Sequence, residues 1–444
     1  MIVSQSIFVL IIYILGAVIA FKHLNSTYSI GFPNTRYAEP VLDTDSERQA
    51  SFTFEDIGED VRSNLASLGI VEPRDIQKAA WHAICDTNVA NVLISAETGS
   101  GKTLAYTLPI LHLLSTTERL VANPRVVMIY PNSLLVHQAH GVVSNILRGT
   151  GLRVEMIDDI ETQEMPDIIM GTLPKLEKKL SIYNLNFKLD VFLNIAYLVL
   201  DEADQLVEQC NEKLLRQFLH RASHRVKTVL AAATVSTAGR LSTENTIRRL
   251  FEKINVVSTA NVHAVPRHIE HESIYCKSYE DKITALHSAL KQVQRQQRAL
   301  IFCKSVESSI QLFTRLKKEN PRMDLGLINR DVDVITQLKT LDPQTGNRYI
   351  VCTDAISRGI DIENISLVVQ FDFPKNVLDY IHRAGRAARN MLNGRTVLLW
   401  EDGDREFCEL LNKHMNDLPS LFSRKRGLRK KIKRGISIGT TTVP

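Results

Sequence analysis

A short glycine-containing loop between two apolar stretches constrains the fold of this chain more than any other feature. The loop reads AETGSGKT over residues 96–103. The apolar run before it, 91–95, is typical of a buried strand, and the apolar sequence after it suits a helix. Gly99 and Gly101 let backbone N–H groups turn toward one point, and a helix N-terminus adds positive potential. The pattern therefore predicts a phosphate-binding loop between a strand and a helix.

Two side chains of this loop suit a nucleoside triphosphate in particular. Lys102 is placed to reach the β- and γ-phosphates, and Thr103 offers a hydroxyl to Mg²⁺. The strict phosphate-loop pattern has a glycine where this chain has Ala96. Phosphate binding remains the interpretation, because a chance glycine loop would rarely carry lysine and threonine at both positions.

Length and pattern predict two α/β domains. A chain of 444 residues exceeds one typical core. Short apolar runs recur between helix-like stretches, and continuous runs are typical of parallel strands covered on both faces. Residues 258–272 contain a proline and little apolar periodicity, so they predict a linker between domains at 51–257 and 273–418. The runs lie at residues 91–95, 126–130, 153–157, 167–171, 197–200, 228–234, 299–303, 349–353, 367–371 and 396–400.

Charge and cysteine usage bound the class of protein. The net charge is +5, but residues 424–434 hold eight of the 54 basic residues, so the remaining 46 face 49 acidic residues, a balance of −3. The tail, 419–444, suits phosphate backbones, with a nuclear address or a plain solvated tail as alternatives. The six cysteines are scattered without C-x-x-C, which favours a reducing compartment and argues against disulfides or zinc. The neighbouring His263, His268 and His271 are interpreted as part of a polar connector.

The first 50 residues form a separate leader. Residues 7–21 are apolar, a length that is borderline for a membrane span. No acidic residue precedes Glu39, as in organelle transit peptides. A membrane anchor, a transit peptide, a signal peptide and an incorrect start site remain open. The expected location leans to the mitochondrion, with the nucleus or nucleolus and a membrane-anchored form as alternatives.

An acidic pair suggests the chemistry. Asp201 and Glu202 directly follow the apolar run 197–200, and ligands of open parallel sheets bind beyond the carboxyl ends of strands. Asp201 can hold Mg²⁺, directly or through water, and Glu202 can orient and deprotonate an attacking water.

A series of arginines in the second half suits the same reaction. Arg383, Arg386 and Arg389 are spaced by three, which predicts a shared helix face. They would reach a γ-phosphate bound on the other domain, so that hydrolysis would depend on domain closure. The alternative is a surface stripe paired with acids.

Together these motifs resemble those of the DEAD-box RNA helicases of superfamily two. Residues 201–204 spell D-E-A-D, and residues 96–103 resemble the family's first motif, in which alanine is usual at the first glycine. Residues 353–362 resemble the fifth motif and 382–389 the sixth. The match runs in family order over about 52–418.

The segment GIVEPRDIQ, residues 69–77, resembles the family's adenine-reading Q motif. By this resemblance Gln77 reads the base, and Phe54 is the upstream aromatic residue, with Phe52 as its alternative. Arg74 stands where the family has threonine or serine.

The resemblance implies two RecA-like domains, each a mostly parallel sheet flanked by helices, with ATP on the first and RNA across both. It implies an ATP-dependent RNA helicase that unwinds short duplexes or remodels RNA–protein complexes, with ATP and Mg²⁺ as cofactors and RNA held mainly by its backbone. The alternative is an ATP-gated RNA-binding assembly factor with little unwinding. A DNA helicase is a third class, which the D-E-A-D sequence argues against. Recruiting proteins are further expected partners. A membrane is a partner only if residues 7–21 are retained as an anchor.

Carried over residue by residue, the resemblance assigns four roles. The catalytic residues would be Lys102, Asp201, Glu202, Arg386 and Arg389. ATP would be bound by Phe54, Gln77, Ala96, Glu97, Thr98, Gly99, Ser100, Gly101, Lys102, Thr103, Gly359 and Asp361, and Mg²⁺ by Thr103 and Asp201, largely through water. Interdomain coupling would fall to Ala232, Ala233, Thr234, His382 and Arg383. RNA would be bound by Pro131, Thr172, Lys175, Thr353 and Arg358.

Departures from the family concentrate on RNA binding and coupling. Ser133 and Leu134 replace the arginine and glutamate of P-T-R-E-L-A, and Ala232 replaces the serine of S-A-T. Residues 326–341 are shortened and lack the family's H-G-D and Q-x-x-R. These changes predict an altered RNA grip and altered coupling beside an intact ATP site.

Overall fold

The computed structural model describes most of the chain between the leader and the tail. The described residues are 52–96, 99–116, 124–161, 165–187, 191–209, 212–222, 226–233, 243–251, 253–258, 269–354, 362–387 and 394–413. The leader and the tail expected at 1–50 and 419–444 lie outside these ranges, and so do Glu97, Thr98, Thr234, His263, His268, Arg358, Gly359, Asp361 and Arg389. Within these ranges, no helix has the length and apolar character needed to cross a bilayer.

Two parallel sheets organise the described residues. The first has strand order β3-β4-β2-β5-β6-β1-β7 and the second β10-β11-β9-β12-β13-β8, and neighbouring strands are parallel in both. This confirms the predicted pair of parallel sheets. The strands are β1 Asn91–Ser95, β2 Val126–Tyr130, β3 Val154–Met156, β4 Ile168–Thr172, β5 Tyr197–Leu200, β6 Lys227–Ala232, β7 Asn255–Ser258, β8 Ile269–Tyr275, β9 Arg298–Cys303, β10 Leu325–Ile328, β11 Tyr349–Thr353, β12 Ile365–Gln370 and β13 Gly394–Trp400.

Helices connect the strands, and side-chain caps fix several of their starts. Asn132, for example, accepts a hydrogen bond from the N–H of Leu135 at 3.0 Å, which satisfies one free donor of the first turn. The helices are α1 Glu59–Ser67, α2 Asp75–Cys85, α3 Lys102–Thr116, α4 Ser133–Ile146, α5 Leu173–Phe187, α6 Ala203–Gln209, α7 Glu212–Arg221, α8 Thr243–Leu250, α9 Tyr279–Lys291, α10 Val306–Glu319, α11 Val334–Leu341, α12 Val377–Ala384 and α13 Arg405–Lys413.

Apolar side chains cover both faces of each sheet. Along β2, Met128 packs into one hydrophobic cluster and the next residue, Ile129, into another. Along β9, Phe302 and Ile301 divide in the same way. Because successive side chains point to opposite faces, a strand covered on both sides needs a continuous apolar run. This is the pattern on which the sequence prediction depended.

The sequence analysis missed three strands, β7, β8 and β10, each of which lies at the outer edge of its sheet. Strand β10, LGLI, is apolar but only four residues long. Strand β8 alternates apolar and polar residues, IEHESIY, and most of it is half-buried. It begins at Ile269, so residues 269–272 of the predicted linker belong to the second sheet.

Candidate active site

The residues assigned to ligand binding in the first half gather at one edge of the first sheet. Parallel strands end at a common edge, and a ligand bound there can contact several loops at once. The residues that follow or end these strands are Ala96 after β1, Pro131 after β2, Thr172 in β4, Asp201 after β5 and Ala233 after β6.

The phosphate loop has a backbone shape that only glycine adopts readily. Gly99 and Gly101 have φ angles of 80° and 90°. A Cβ atom on Gly101 would lie 2.5 Å from Nε2 of Gln77, which is too close for a real contact. The Oγ atom of Ser100 is buried and has no hydrogen-bond partner among the described residues. The loop therefore offers an unpaired hydroxyl, which suits a phosphate oxygen.

The start of helix α2 is tied to this loop. Gln77 is 3% exposed. Its Oε1 accepts from the N–H of Arg74 at 2.8 Å, and its Nε2 donates to the carbonyl of Gly101 at 3.3 Å. Arg74 replaces the short hydroxyl residue of the family, and its Nη1 donates to the carbonyl of Gly99 at 2.5 Å. The predicted base reader is thus held against the predicted phosphate loop.

The two candidate aromatic residues lie close together but have different partners. Phe52 stacks on Trp81, with ring centroids 4.0 Å apart and planes at 13°. Phe54 is buried in a short 3₁₀ turn, Phe54–Asp56. Because the face of Phe52 is covered by Trp81, Phe54 remains the proposed contact to the base.

Lys102 is buried at the start of α3. Its Nζ donates to the carbonyl of Ala96 at 2.8 Å, and the residue is 8% exposed. Burial lowers the pKa of Lys102, while the carboxylates of Glu202 and Asp201 oppose this effect. The positive charge of Arg386 lowers the pKa of Lys102 further. Arg386, from the second half of the chain, therefore lies within electrostatic reach of the phosphate loop.

Asp201 has a fixed donor on each carboxylate oxygen. Its Oδ1 accepts from the N–H of Glu202 at 2.9 Å, and its Oδ2 accepts from the hydroxyl of Tyr106 at 3.0 Å. Burial raises the pKa of Asp201 to about 6, and the neighbouring charge of Glu202 adds to the rise. Burial also raises the pKa of Tyr106, so its hydroxyl keeps the proton that it donates.

Glu202 adopts a strained backbone. Its φ angle is 49°, in the left-handed region, which costs a residue other than glycine about 1–3 kcal/mol. This conformation turns the chain sharply from β5 into α6. The side chain is held by Gln205, whose Nε2 donates to Oε2 of Glu202 at 3.2 Å. Sequence analysis missed Gln205, although its spacing of three from Glu202 was a usable signal.

Arg383 and Arg386 do not share one helix face. Helix α12 ends at Ala384, so Arg386 follows the helix. The prediction of a shared helix face is therefore wrong for Arg383 and Arg386, because Gly385 caps the helix between them. Arg389, the third member, lies outside the described residues.

Arg383 is buried and bonded to residues of its own half of the chain. It is 1% exposed, and its guanidinium makes two bonds to Asp354, Nε to Oδ1 at 2.6 Å and Nη2 to Oδ2 at 2.7 Å. Its Nη1 donates to the carbonyl of Asp372 at 2.7 Å. This buried, two-pronged pair joins the segments that resemble the fifth and sixth motifs. Arg383 thus anchors the backbone segment that carries Arg386. His382, the residue before it, is also buried.

The remaining assigned residues belong to the predicted coupling segment and to the predicted RNA surface. The N–H of Ala96 donates to the carbonyl of Ala232 at 3.1 Å, so the predicted coupling segment is bonded to the phosphate loop through backbone atoms. Lys175 is exposed, and its Nζ donates to Asp158 at 2.6 Å and to Ser133 at 3.3 Å. Thr353 ends strand β11 and is 5% exposed.

Family comparisons match both halves of the chain. Residues 74–241 match the DEAD/DEAH box helicase family, and residues 281–391 match the helicase conserved C-terminal domain. The chain belongs to the DEAD-box helicase family. The resemblance drawn from its motifs is therefore confirmed.

Each of two named relatives matches this DEAD-box chain over only part of its own length. DEAD-box ATP-dependent RNA helicase 39 of Arabidopsis thaliana is 29% identical over 402 residues, covering 83% of this chain and 62% of the relative. ATP-dependent RNA helicase DBP6 of Vanderwaltozyma polyspora is 30% identical over 352 residues, covering 72% and 53%. The match thus spans little more than half to about three fifths of these relatives.

Solved structures share the fold of the DEAD-box chain. S. cerevisiae Dbp5, solved with RNA and ADP BeF3, has a TM-score of 0.70 at 20% identity, covering 86% of this chain and 99% of that one. Mss116p, solved with single-stranded RNA and AMP-PNP, has a TM-score of 0.69 at 21% identity, covering 87% and 83%. The prediction of two RecA-like domains is confirmed at the level of the fold.

Proposed function

We propose that this DEAD-box chain is an ATP-dependent RNA helicase, which hydrolyses ATP to unwind short duplexes or remodel RNA–protein complexes. The observation that carries the proposal is the set of charges that act on Lys102: those of Asp201 and Glu202 from the first half, and that of Arg386 from the second. A triphosphate on the phosphate loop would have cations from both halves beside its outer phosphate, which is the arrangement that phosphoryl transfer needs.

Each residue then has a definite role. Lys102 exchanges the carbonyl of Ala96 for phosphate oxygens. Glu202, held by Gln205, orients the attacking water and accepts its proton. Arg386 stabilises the negative charge that develops on the transferred group.

The proposal also assigns residues to the cofactors. Thr103 and Asp201 would hold Mg²⁺, largely through water, and the ion when bound supplies neutralisation of the phosphate charge. Gln77 and Phe54 would bind the adenine. RNA would run across the ends of both sheets, past Pro131, Thr172, Lys175 and Thr353, held mainly by its backbone. Arg358, which lies outside the described residues, is assigned to the RNA by the resemblance alone.

Removal of the phosphate clamp tests the ATPase. We expect Lys102→Ala to lower RNA-stimulated ATP turnover by about 100-fold or more, the size of effect seen when a transition-state cation or donor is deleted. Lys175→Ala, at an exposed lysine of the predicted RNA surface, should reduce the stimulation by RNA but leave nucleotide affinity unchanged. Nucleotide affinity is therefore the measurement that separates the two variants. Full turnover in Lys102→Ala would reject the assignment.

Removal of the base tests the coupling of ATP to RNA. Glu202→Gln keeps a side chain of the same size but cannot accept a proton. We expect it to bind ATP and to hold RNA more tightly than the wild type in the presence of ATP. Equal RNA affinity for the two proteins would contradict the mechanism.

A second candidate is an ATP-gated RNA-binding assembly factor with little unwinding. Two observations favour it: Ala232 has no hydroxyl, and the ammonium of Lys175 is already bonded to Asp158 and Ser133. An unwinding assay beside an ATPase assay separates the candidates, since turnover without strand separation supports the second. ATP turnover that is stimulated by DNA but not by RNA would contradict both candidates.

The cellular address is a separate part of the proposal, and we propose the mitochondrion. The apolar leader motivates this choice, and the basic tail at 424–434 motivates the nucleolus as the alternative. Imaging a C-terminally tagged chain with and without residues 1–38 separates them. Mitochondrial signal that disappears with the truncation supports the leader, whereas nucleolar signal in both forms supports the tail.

A further inference from the structure

Two buried tyrosines lie behind the acidic pair. The hydroxyl of Tyr106 is 3.0 Å from Oδ2 of Asp201 and 3.3 Å from the hydroxyl of Tyr130. Tyr106 is 0% exposed and Tyr130 is 1% exposed. None of the roles assigned above uses either hydroxyl.

The fold brings these three residues together from separate elements. Tyr106 lies four residues after Lys102 on α3, so it is on the same helix face one turn further on. Strands β2 and β5 are paired with Ile129 opposite Leu200. Tyr130, the last residue of β2, and Asp201, the first residue after β5, therefore meet at the carboxyl edge of the sheet.

The direction of the hydrogen bonds follows from the donors available. A carboxylate only accepts, so Tyr106 donates its single proton to Asp201. The bond between the two tyrosines must then be donated by Tyr130. The other acceptor near the hydroxyl of Tyr130 is the Sδ of Met128, at 3.6 Å, which is a weak acceptor. The donors run from Tyr130 through Tyr106 to Asp201.

The Tyr106 hydroxyl contributes little to packing that phenylalanine could not supply. A buried hydroxyl costs free energy unless it is hydrogen-bonded, and phenylalanine would fill nearly the same volume without that cost. What the hydroxyl adds is a fixed donor on Oδ2 of Asp201, opposite the N–H of Glu202 on Oδ1. With one donor on each oxygen, the carboxylate cannot rotate freely.

We propose that Tyr106 is a positioning residue that fixes the carboxylate of Asp201 for the Mg²⁺ of a bound Mg²⁺–nucleotide. Tyr130 holds the Tyr106 hydroxyl in place through the hydrogen bond between the two hydroxyls. The inference rests on the proposed ATPase, because Asp201 has this role only if the site binds a nucleotide with its metal ion. Residues that orient a metal-holding side chain typically change metal affinity by about 10–100-fold when they are lost.

The test measures how much Mg²⁺ strengthens nucleotide binding. The probe is a fluorescent non-hydrolysable ATP analogue, titrated with excess Mg²⁺ and again with EDTA. We expect Tyr106→Phe to weaken binding about tenfold with Mg²⁺ and to leave binding in EDTA unchanged. Tyr130→Phe should show a smaller loss of the same kind. Tyr349→Phe, on strand β11 of the second sheet, is the matched control and should behave as the wild type.

Steady-state ATPase provides a second readout. The Mg²⁺ concentration for half-maximal turnover should rise in Tyr106→Phe, with less change in kcat at saturating Mg²⁺. In the background of Asp201→Asn, the change at Tyr106 should have no further effect on Mg²⁺-dependent binding, since the two residues act as one unit.

The outcomes separate this inference from the proposed function. A wild type that binds no nucleotide overturns both. If the wild type shows a Mg²⁺ enhancement and Tyr106→Phe shows the same one, only the role of Tyr106 is overturned. Equal losses with Mg²⁺ and EDTA indicate a packing defect and overturn it as well. Should Tyr106→Phe fail to fold, Tyr130→Phe decides: an unchanged Mg²⁺ enhancement overturns the inference.

Discussion

Protonation of one partly buried histidine should destabilise the second half of the protein as the pH falls. His271 lies in β8, and its Nδ1 is 2.6 Å from the hydroxyl of Tyr380. Tyr380 is on α12, the helix that precedes Arg386. Burial lowers the pKa of His271 to about 4, from an ordinary value of 6.5. Charging His271 would therefore disturb the support of the proposed catalytic arginine.

The sign and the size of the effect follow from this depressed pKa. In the unfolded chain His271 charges below pH 6.5, but in the folded chain it charges only near pH 4. The contribution of neutral His271 to the free energy of unfolding is thus fully present above pH 6.5 and is lost as the pH falls toward 4. The difference of about 2.5 pH units sets an upper bound of about 3.4 kcal/mol. Because the side chain is partly exposed, water screening reduces this to roughly half, with about 1 kcal/mol lost between pH 7 and pH 5.

Urea unfolding of the wild type and of His271→Gln, at about pH 7.5 and pH 5, measures the effect. Glutamine can still bond to Tyr380 but carries no charge, so the variant should gain about 1 kcal/mol relative to the wild type on acidification. Carboxylates such as Asp201 are common to both proteins and cancel. His287→Gln, at a partly exposed histidine whose Nε2 lies 2.9 Å from Oε2 of Glu319, controls for the loss of a surface histidine. A difference between His271→Gln and wild type that is the same at both pH values would refute the reasoning.

Two further substitutions test the loop and the core. Gly101→Ala should weaken nucleotide binding and retain the fold, because the φ angle of 90° is strained for alanine and a Cβ there would displace Nε2 of Gln77, 2.5 Å away. Unchanged affinity for a fluorescent ATP analogue would contradict this. Asp167→Ala should lower the free energy of unfolding by about 3–5 kcal/mol, since it leaves the buried guanidinium of Arg125 without its carboxylate. Denaturant titration measures this loss, and Asp158→Ala, which removes an exposed ion pair, should cost less than about 1 kcal/mol; equal losses in the two variants would show that burial is not the cause.

Much of the fold could be predicted because its signals are local. Short apolar runs marked ten of the strands, since a strand covered on both faces is mostly apolar. Strand β8 was missed because half of its surface is open to water, and residues 269–272 were therefore interpreted as linker. Helix α12 ends earlier than the spacing of its arginines suggested, because Gly385 follows Ala384.

The sequence by itself determined the phosphate loop, the position of the acidic pair after a strand and the family of the chain. These features depend on residues that are neighbours along the backbone, so spacing reveals them. Only the tertiary structure decided which groups surround those residues. The hydroxyl that holds Asp201 comes from Tyr106, 95 residues earlier, and the arginine whose charge acts on Lys102 comes from the other half of the chain. Burial then sets the pKa values and removes water from these contacts, and burial is a property of the packed molecule rather than of any single segment.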